Sequence, residues 1–219
     1  HDSAEPYITG YHFIHFEHIP TSLGTVIQHR GGPDNINQGD IQNILSGSCL
    51  SVTIPGGTVN KTEFTGLGGV KWTVPTSVDW DNTVTIRFLE FSTAPILAIM
   101  HGWVRLIRDY RAGVTVLEGD AINKANYAGT LCYWTTKPDG KTIETYFYMS
   151  GVYPMKDPTD QYGADITTYD KLELDIDFNC DYIWQESWVK DKCQTAMDNI
   201  YSAWDGYEGS GTVQGYDQT

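Results

Sequence analysis

Positive charge is scarce in this sequence. Its 14 Lys and Arg residues stand against 28 Asp and Glu, a formal net charge of −14. Binding to nucleic acid by phosphate neutralisation needs a basic footprint, and none is present. Cysteine is also sparse: Cys49, Cys132, Cys180 and Cys193 are far apart and form no CxxC pair. That spacing argues against a disulfide framework or a zinc site and for reduced, mostly buried thiols. No apolar run reaches the roughly 18 residues that span a bilayer, so no stable membrane insertion is expected. No signal-peptide pattern opens the sequence as given. A nucleophile-elbow serine, a P-loop and a dinucleotide fingerprint are all missing, which leaves no familiar enzyme signature. What remains is a chain of 219 residues, 40% hydrophobic and 13% aromatic, rich enough to fold and long enough for one large domain.

The most ordered pattern lies at 172–181. Leu172, Leu174, Ile176, Phe178 and Cys180 alternate with Glu173, Asp175, Asp177, Asn179 and Asp181. Side chains on a strand alternate between faces, so one face is apolar and the other acidic. Carboxylates about 7 Å apart on one face repel one another and would be costly to bury without cations. That face must meet water.

Elsewhere the sequence predicts strands at 7–16, 49–54, 70–74 and 83–91, with a long loop at 21–47 that holds at most a short helical turn at Ile41–Leu45. A hairpin is expected around Asn60-Lys61, followed by a Gly-rich link. Pro95 to Tyr110 reads as a helix, capped by Ser92 or Thr93, with Arg105, Arg108 and Arg111 near its C-terminus and Gly113 closing it. Its apolar stripe, which includes Ile99, Met100, Trp103 and Ile107, is wide enough to suggest contact with more than one surface. Lys137-Pro138-Asp139-Gly140 between 131–136 and 142–149 is a hairpin turn. Gly151 to Pro154 then leads into a polar loop to Asp170. Val189 to Trp204 reads as a second amphipathic helix, with Val189, Cys193, Met197, Ile200 and Trp204 on one stripe, and 207–219 as a flexible tail.

Candidate chemistry is thin. His12, His15 and His18 share a predicted strand, but His15 points away from the other two, so exposed strand histidines are the better reading than a metal site. Asp157, Asp160 and Asp165 sit in one loop without the ligand order of an EF-hand. The acidic strand could supply a glycosidase pair, yet catalytic carboxylates usually come from different elements with separated pKa values. With 7 Trp and 14 Tyr, a secreted carbohydrate-binding β-sandwich is a reading of another class. No catalytic residue, cofactor or metal is expected.

The order of elements from Ser51 onward resembles the tail tube proteins of contractile-tailed bacteriophages. The resemblance runs through Ser51-Val-Thr-Ile-Pro-Gly-Gly57, Trp80-Asp-Asn-Thr-Val-Thr-Ile-Arg-Phe88, the helix to Tyr110, Tyr146-Phe-Tyr-Met-Ser-Gly-Val-Tyr-Pro154 and Leu172 to Tyr182. It is carried by the ordered set rather than by any one motif. It implies a mainly β, α+β tail-tube fold: antiparallel sheets as a sandwich or split barrel with one packed helix, closing into a ring-shaped barrel on hexamerisation. The tube domain would span 1–183, and 184–219 would add a helix and tail.

The same resemblance implies a structural virion protein, assembled in the host cytoplasm. Its hexameric rings would stack into a hollow tube inside a sheath, between baseplate and tail-terminator proteins, with viral DNA passing the lumen without specific binding. Glu173, Asp175, Asp177, Asn179 and Asp181 would line that lumen. Ile99, Met100, Trp103 and Ile107 would pack the helix outside the barrel. Arg105 and Arg108 would be candidates for contacts to other subunits or the sheath, and 58–69 with 21–47 would join rings. The long early loop and the C-terminal extension depart from a minimal tube subunit and leave room for an initiator or terminator ring.

Overall fold

The computed structural model describes residues 10–28, 36–108, 123–162 and 171–208, with backbone alone for 203–208. Nine strands and five α-helices occur among them. The strands are β1 (His12–His18), β2 (Cys49–Thr53), β3 (Gly57–Thr65), β4 (Lys71–Trp80), β5 (Thr83–Leu89), β6 (Gly129–Thr136), β7 (Ile143–Pro154), β8 (Glu173–Asn179) and β9 (Tyr182–Trp184). The helices are α1 (Leu23–Gln28), α2 (Gln38–Gly47), α3 (Pro95–Ile107), α4 (Lys124–Tyr127) and α5 (Ser187–Glu208), with a 3-10 turn at Pro158–Gln161. A seven-stranded sheet runs β1-β6-β7-β8-β5-β2, with β9 on β7, and β3 and β4 form a separate two-stranded sheet. The fold is α+β, with a main antiparallel sheet, packed helices and a helix at the C-terminal end.

The chain divides into two compact units. One comprises 1–15, 132–148 and 184–219, the other 16–131 and 149–183. In the first, α5 closes a small core in which Val189, Cys193 and Met197 meet Cys132, Trp134 and Ile143, with Ile200 partly buried against them. The expected stripe is therefore the packed face; the Trp204 side chain lies outside the described residues. The Lys137–Gly140 turn forms as predicted. Gly140 takes a φ of +69°, and Asp139 accepts hydrogen bonds from the Lys141 and Thr142 amides and the Thr142 hydroxyl.

The second unit is organised by β8. Leu174, Ile176 and Phe178 are buried, whereas Asp175 and Asp177 are exposed. Phe178 sits at the centre of an aromatic cluster, its ring 6.1 Å from Phe16, 6.4 Å from Phe88 and 6.2 Å from Trp103. Trp103 brings α3 onto this sheet face and donates its indole N–H to the Tyr127 carbonyl at 2.7 Å.

Several expectations need correction. The 21–47 segment is not one loop but carries α1 and α2. Asn37 and Asp40 form a capping box on α2, satisfying N-terminal amides in both directions. α1 covers α3 at Gly102, where an added Cβ would stand 2.8 Å from the Ile27 side chain. The wide stripe of α3 is thus shared between the sheet and α1. That helix ends at Ile107, and its cap is not Ser92 or Thr93. Ala94, at φ 49°, makes no side-chain cap; the Glu90 carboxylate accepts from the Ile96 amide at 3.1 Å and the Leu97 amide at 2.9 Å. Tyr162 donates its hydroxyl to the same carboxylate. β7 runs through Gly151 to Pro154 instead of ending in a loop, and β1 lies at 12–18. The hairpin turn falls at 66–69, where Gly68 and Gly69 have φ of +87° and +78°; Asn60-Lys61 marks a bulge between β3 and β4. Tyr110, Arg111, Gly113, Asp165 and 209–219 lie outside the described residues.

Two outcomes test this account. Phe178→Ala should cost about 3–5 kcal/mol of unfolding free energy in urea titrations, while Asp177→Ala, on the same strand but exposed, should cost less than about 1. Glu90→Ala should cost about 1–2 kcal/mol, as the loss of an N-cap does, and Ser92→Ala or Thr93→Ala should leave the midpoint unchanged.

Candidate functional site: the polar sheet face and the free hairpin

Two surfaces stand out. The first is the polar face of the main sheet at β2, β5 and β8. The register sets Ser51 beside Arg87 and Arg87 beside Asp175, then Thr53 beside Thr85 and Thr85 beside Asp177. Arg87 meets Asp175 in a two-pronged pair, Nε to Oδ1 at 2.7 Å and Nη2 to Oδ2 at 2.9 Å. It also reaches Glu173 at 3.7 Å, and Lys171 meets the other Glu173 oxygen at 2.7 Å. Thr85 donates to Asp177 at 2.6 Å. The hydrogen bond from Arg87 holds the Asp175 carboxyl below its usual range.

The acidic ladder is therefore displayed as expected but not bare. Two cations stand against the three carboxylates of Glu173, Asp175 and Asp177. At the far end, Asp181 is half-buried beside Lys124, 2.5 Å away, and accepts from Asn179 at 3.0 Å. Burial raises the Asp181 carboxyl, but these bonds outweigh it and hold the group below its usual value. Gly151 is required here: with φ of +70°, a Cβ would sit 2.1 Å from the Asp181 carboxylate. Where β7 peels away from β8, Gln161 continues the ladder with its side chain, donating to the Asp175 carbonyl at 2.6 Å and accepting from the Asp175 amide at 2.8 Å.

The second surface is the β3–β4 hairpin. Every residue of β4 and all of β3 except Asn60 are exposed. Of the exposed large hydrophobic side chains among the described residues, Val59, Phe64, Leu67, Val70, Trp72, Val74, Val78 and Trp80 all belong to this hairpin. Residues 64–78 contain no acid at all in a chain that has 28. A lone two-stranded sheet is marginal in water without a third strand or a packed face. A concentration of exposed apolar side chains on one element marks an interaction surface. The sequence pointed to 58–69 but missed the length of the element and its apolar content.

The remaining candidates separate. Ile99, Met100 and Trp103 are buried, and Ile107 is half-exposed. Arg105 is only 6% exposed; it belongs to the chain's own interior, and an outside partner cannot reach it. Arg108 is exposed. Asp157 meets His101 at 2.5 Å, and Asp160 pairs with Lys156. No three His, Cys, Asp or Glu side chains gather as a metal would require among the described residues. The four thiols are free, and burial pushes Cys49 up to about 12 and Cys180 up to about 11, so both stay protonated. No described helix is long and apolar enough to cross a membrane.

No family model and no curated protein matches this chain. Solved structures do. The chain is similar to one from the sheath/tube terminator of an extracellular contractile injection system, PVC, in the extended state, at 14% identity and a TM-score of 0.48 over 84% of this chain and 100% of that one. Another comes from the six-fold symmetrised baseplate of the anti-feeding prophage, at 9% identity and 0.49 over 84% and 97%. A third comes from the tube-terminating cap of the anti-feeding prophage, at 12% identity and 0.44 over 85% and 97%.

The charge compensation on the polar face has a measurable signature. Arg87→Ala should raise the Asp175 pKa towards the ordinary carboxylate value in an NMR titration. A depressed folded pKa adds stability above the unfolded pKa of about 3.9 and loses it as pH falls through the folded value. The stability gap between wild type and Arg87→Ala should therefore be present at neutral pH and shrink below about pH 4. It should be small throughout, because the pair is solvent-exposed.

Proposed function

We propose that this protein is a structural subunit of a contractile tail-like particle, forming a ring at an end of the tube, as an initiator, terminator or baseplate-associated component. The observation that carries this reading is the β3–β4 hairpin. An exposed apolar element of this length is unfavourable on an isolated subunit and is explained by burial against neighbours in an assembly. The order of elements that resembles tail tube proteins supplies the kind of assembly.

An end ring suits the chain better than a repeating tube subunit. α1 and α2 occupy the early segment, and α5 extends past the last strand, which makes the subunit bulkier than a minimal tube fold. In this reading the polar face of β8 looks into the channel, with Glu173, Asp175 and Asp177 as its carboxylates and Asp181 near one rim. Arg87 and Lys171 moderate their repulsion of a phosphate backbone, which in any case reaches only about 8–10 Å at physiological salt. A moderated wall fits a ring that must hold its place as well as let cargo pass. Arg108, exposed at the end of α3, is a candidate contact to a sheath-like partner.

Negative-stain microscopy of the purified chain tests the reading. The expected result is closed rings, single or paired, that do not grow into long tubes. Tubes of many stacked rings would restore the repeating-subunit reading. A monomer at every concentration tried would overturn the assembly reading altogether.

A further inference from the structure

The hairpin has two faces, and they are not alike. Its register pairs Gly57 with Trp80, Val59 with Val78, Lys61 with Pro75, Glu63 with Thr73 and Thr65 with Lys71. Alternation puts these five rungs on one face. Thr58 with Asp79, Asn60 with Ser77, Thr62 with Val74 and Phe64 with Trp72 form the other. The bulge at Asn60/Lys61 keeps both sets in phase along the ladder. Side-chain contacts agree. Gly57 lies against Val78 and Trp80, and Asn60 donates to Ser77 at 3.1 Å and to Asp79 at 2.6 Å.

On the first face the apolar patch is at the base, around Val59, Val78 and Trp80. On the second it is at the tip, around Phe64, Trp72 and Val74. The charges differ as well. The first face carries Lys61, Lys71 and Glu63, with Glu63 already drawn to Lys71 at 3.9 Å, so Lys61 leaves it net positive. The second carries Asp79 alone and is net negative.

We infer that the occupant of this hairpin is the hairpin of a second copy of the same chain, tip face on base face, in a head-to-tail contact. Laid antiparallel and face to face, the two ladders match rung by rung. Phe64 and Trp72 of one copy fall on Gly57 and Trp80 of the next, where the glycine leaves the indole open for stacking. Thr62 and Val74 fall on Val59 and Val78. Asn60 and Ser77 fall on Lys61 and Pro75. Thr58 and Asp79 fall on Glu63 and Thr73, with Lys61 and Lys71 on the rungs to either side of Asp79 and Glu63 already engaged by Lys71. Apolar meets apolar and Asp79 has a lysine on either side, whereas tip on tip would lay Phe64 and Trp72 on Thr58 and Asp79, and base on base would set Lys61 against Lys61. Because the two faces of one hairpin differ, each copy offers a tip face and a base face at once. Such heterologous contacts propagate and close into a ring when the rotation permits. This inference rests on the ring reading above and specifies which surface joins the copies.

Two exposed substitutions separate the faces. Trp72→Asp disables the tip face and Val78→Asp the base face. Both sites are in solvent, so circular dichroism and the melting midpoint should match wild type. In analytical ultracentrifugation, wild type should assemble, and each variant alone should be monomeric at concentrations tenfold above those that assemble wild type. An equimolar mixture of the two should form dimers and nothing larger, since one intact tip-on-base junction remains. Lys61→Asp and Asp79→Lys should each weaken wild-type assembly at least tenfold, and the double variant should regain most of it.

Dimers formed by each single variant alone would overturn the head-to-tail pairing in favour of tip-on-tip or base-on-base contact. Assembly of both variants at wild-type concentrations would show that the hairpin docks elsewhere, on a different partner or a lipid surface, and would overturn the inference while leaving the ring reading intact. A wild type that never assembles would instead sink the ring reading.

Discussion

The second unit depends on one strand that answers to two solvents. β8 buries Leu174, Ile176 and Phe178 and shows water Asp175 and Asp177. A slip of one residue would drive the carboxylates into the aromatic cluster and expel Phe178 from it. Burying those charges without partners would cost far more than the protein's total margin of stability. The alternation thus fixes the register of β8 against β5, and that register in turn decides which side chains meet across the polar face. Phe178 also reaches Phe16, Phe88 and Trp103 at once, so the same strand position ties β1, β5 and α3 to one core.

What could be read from the sequence follows from how local each signal is. The β8 alternation, the Lys137–Gly140 turn and the α5 stripe from Val189 to Ile200 are short-range patterns, and each is found where the sequence placed it. α1 and α2 are short and separated by a stretch rich in Gly, Pro and Asn, which reads as loop because its turn residues outweigh weak periodicity. Even so, Asn37 with Asp40 was a readable capping box. The α3 cap was not readable. It comes from Glu90, which stands outside the usual cap position and is held by Tyr162, so only the folded chain brings donor and acceptor together. At 57–80 the wrong turn signal prevailed. Asn60-Lys61 looked like a hairpin corner, whereas Gly68 and Gly69 supply the positive φ the corner needs.

The charge on the polar face shows the limit of reading one strand at a time. Asp175 and Arg87 are 88 positions apart, and nothing local joins them. Seen alone, 172–181 is a run of repelling carboxylates; seen in register, it is a ladder of pairs. Each pair contributes little to stability in solvent. Their larger effect is on the field above the sheet, where three carboxylates and two cations replace an unbroken acidic wall. Whatever approaches that face meets a patterned surface with both signs, and the repulsion of an anion is weaker than composition implied.

The same imbalance of charge bears on the hairpin from the opposite side. A chain at −14 resists self-association through its own long-range repulsion. Contact between copies therefore needs a segment where that repulsion is locally relieved and short-range attraction takes over. Residues 64–78 have no acid, hold Lys71 and cluster the exposed aromatic and branched side chains. In the proposed assembly the acidic remainder of the surface would work as a filter, since copies meeting in other orientations would face like charge. Net charge would keep free subunits apart, and one hairpin, neutral in sum but opposite in sign on its two faces, would select the orientation in which they join.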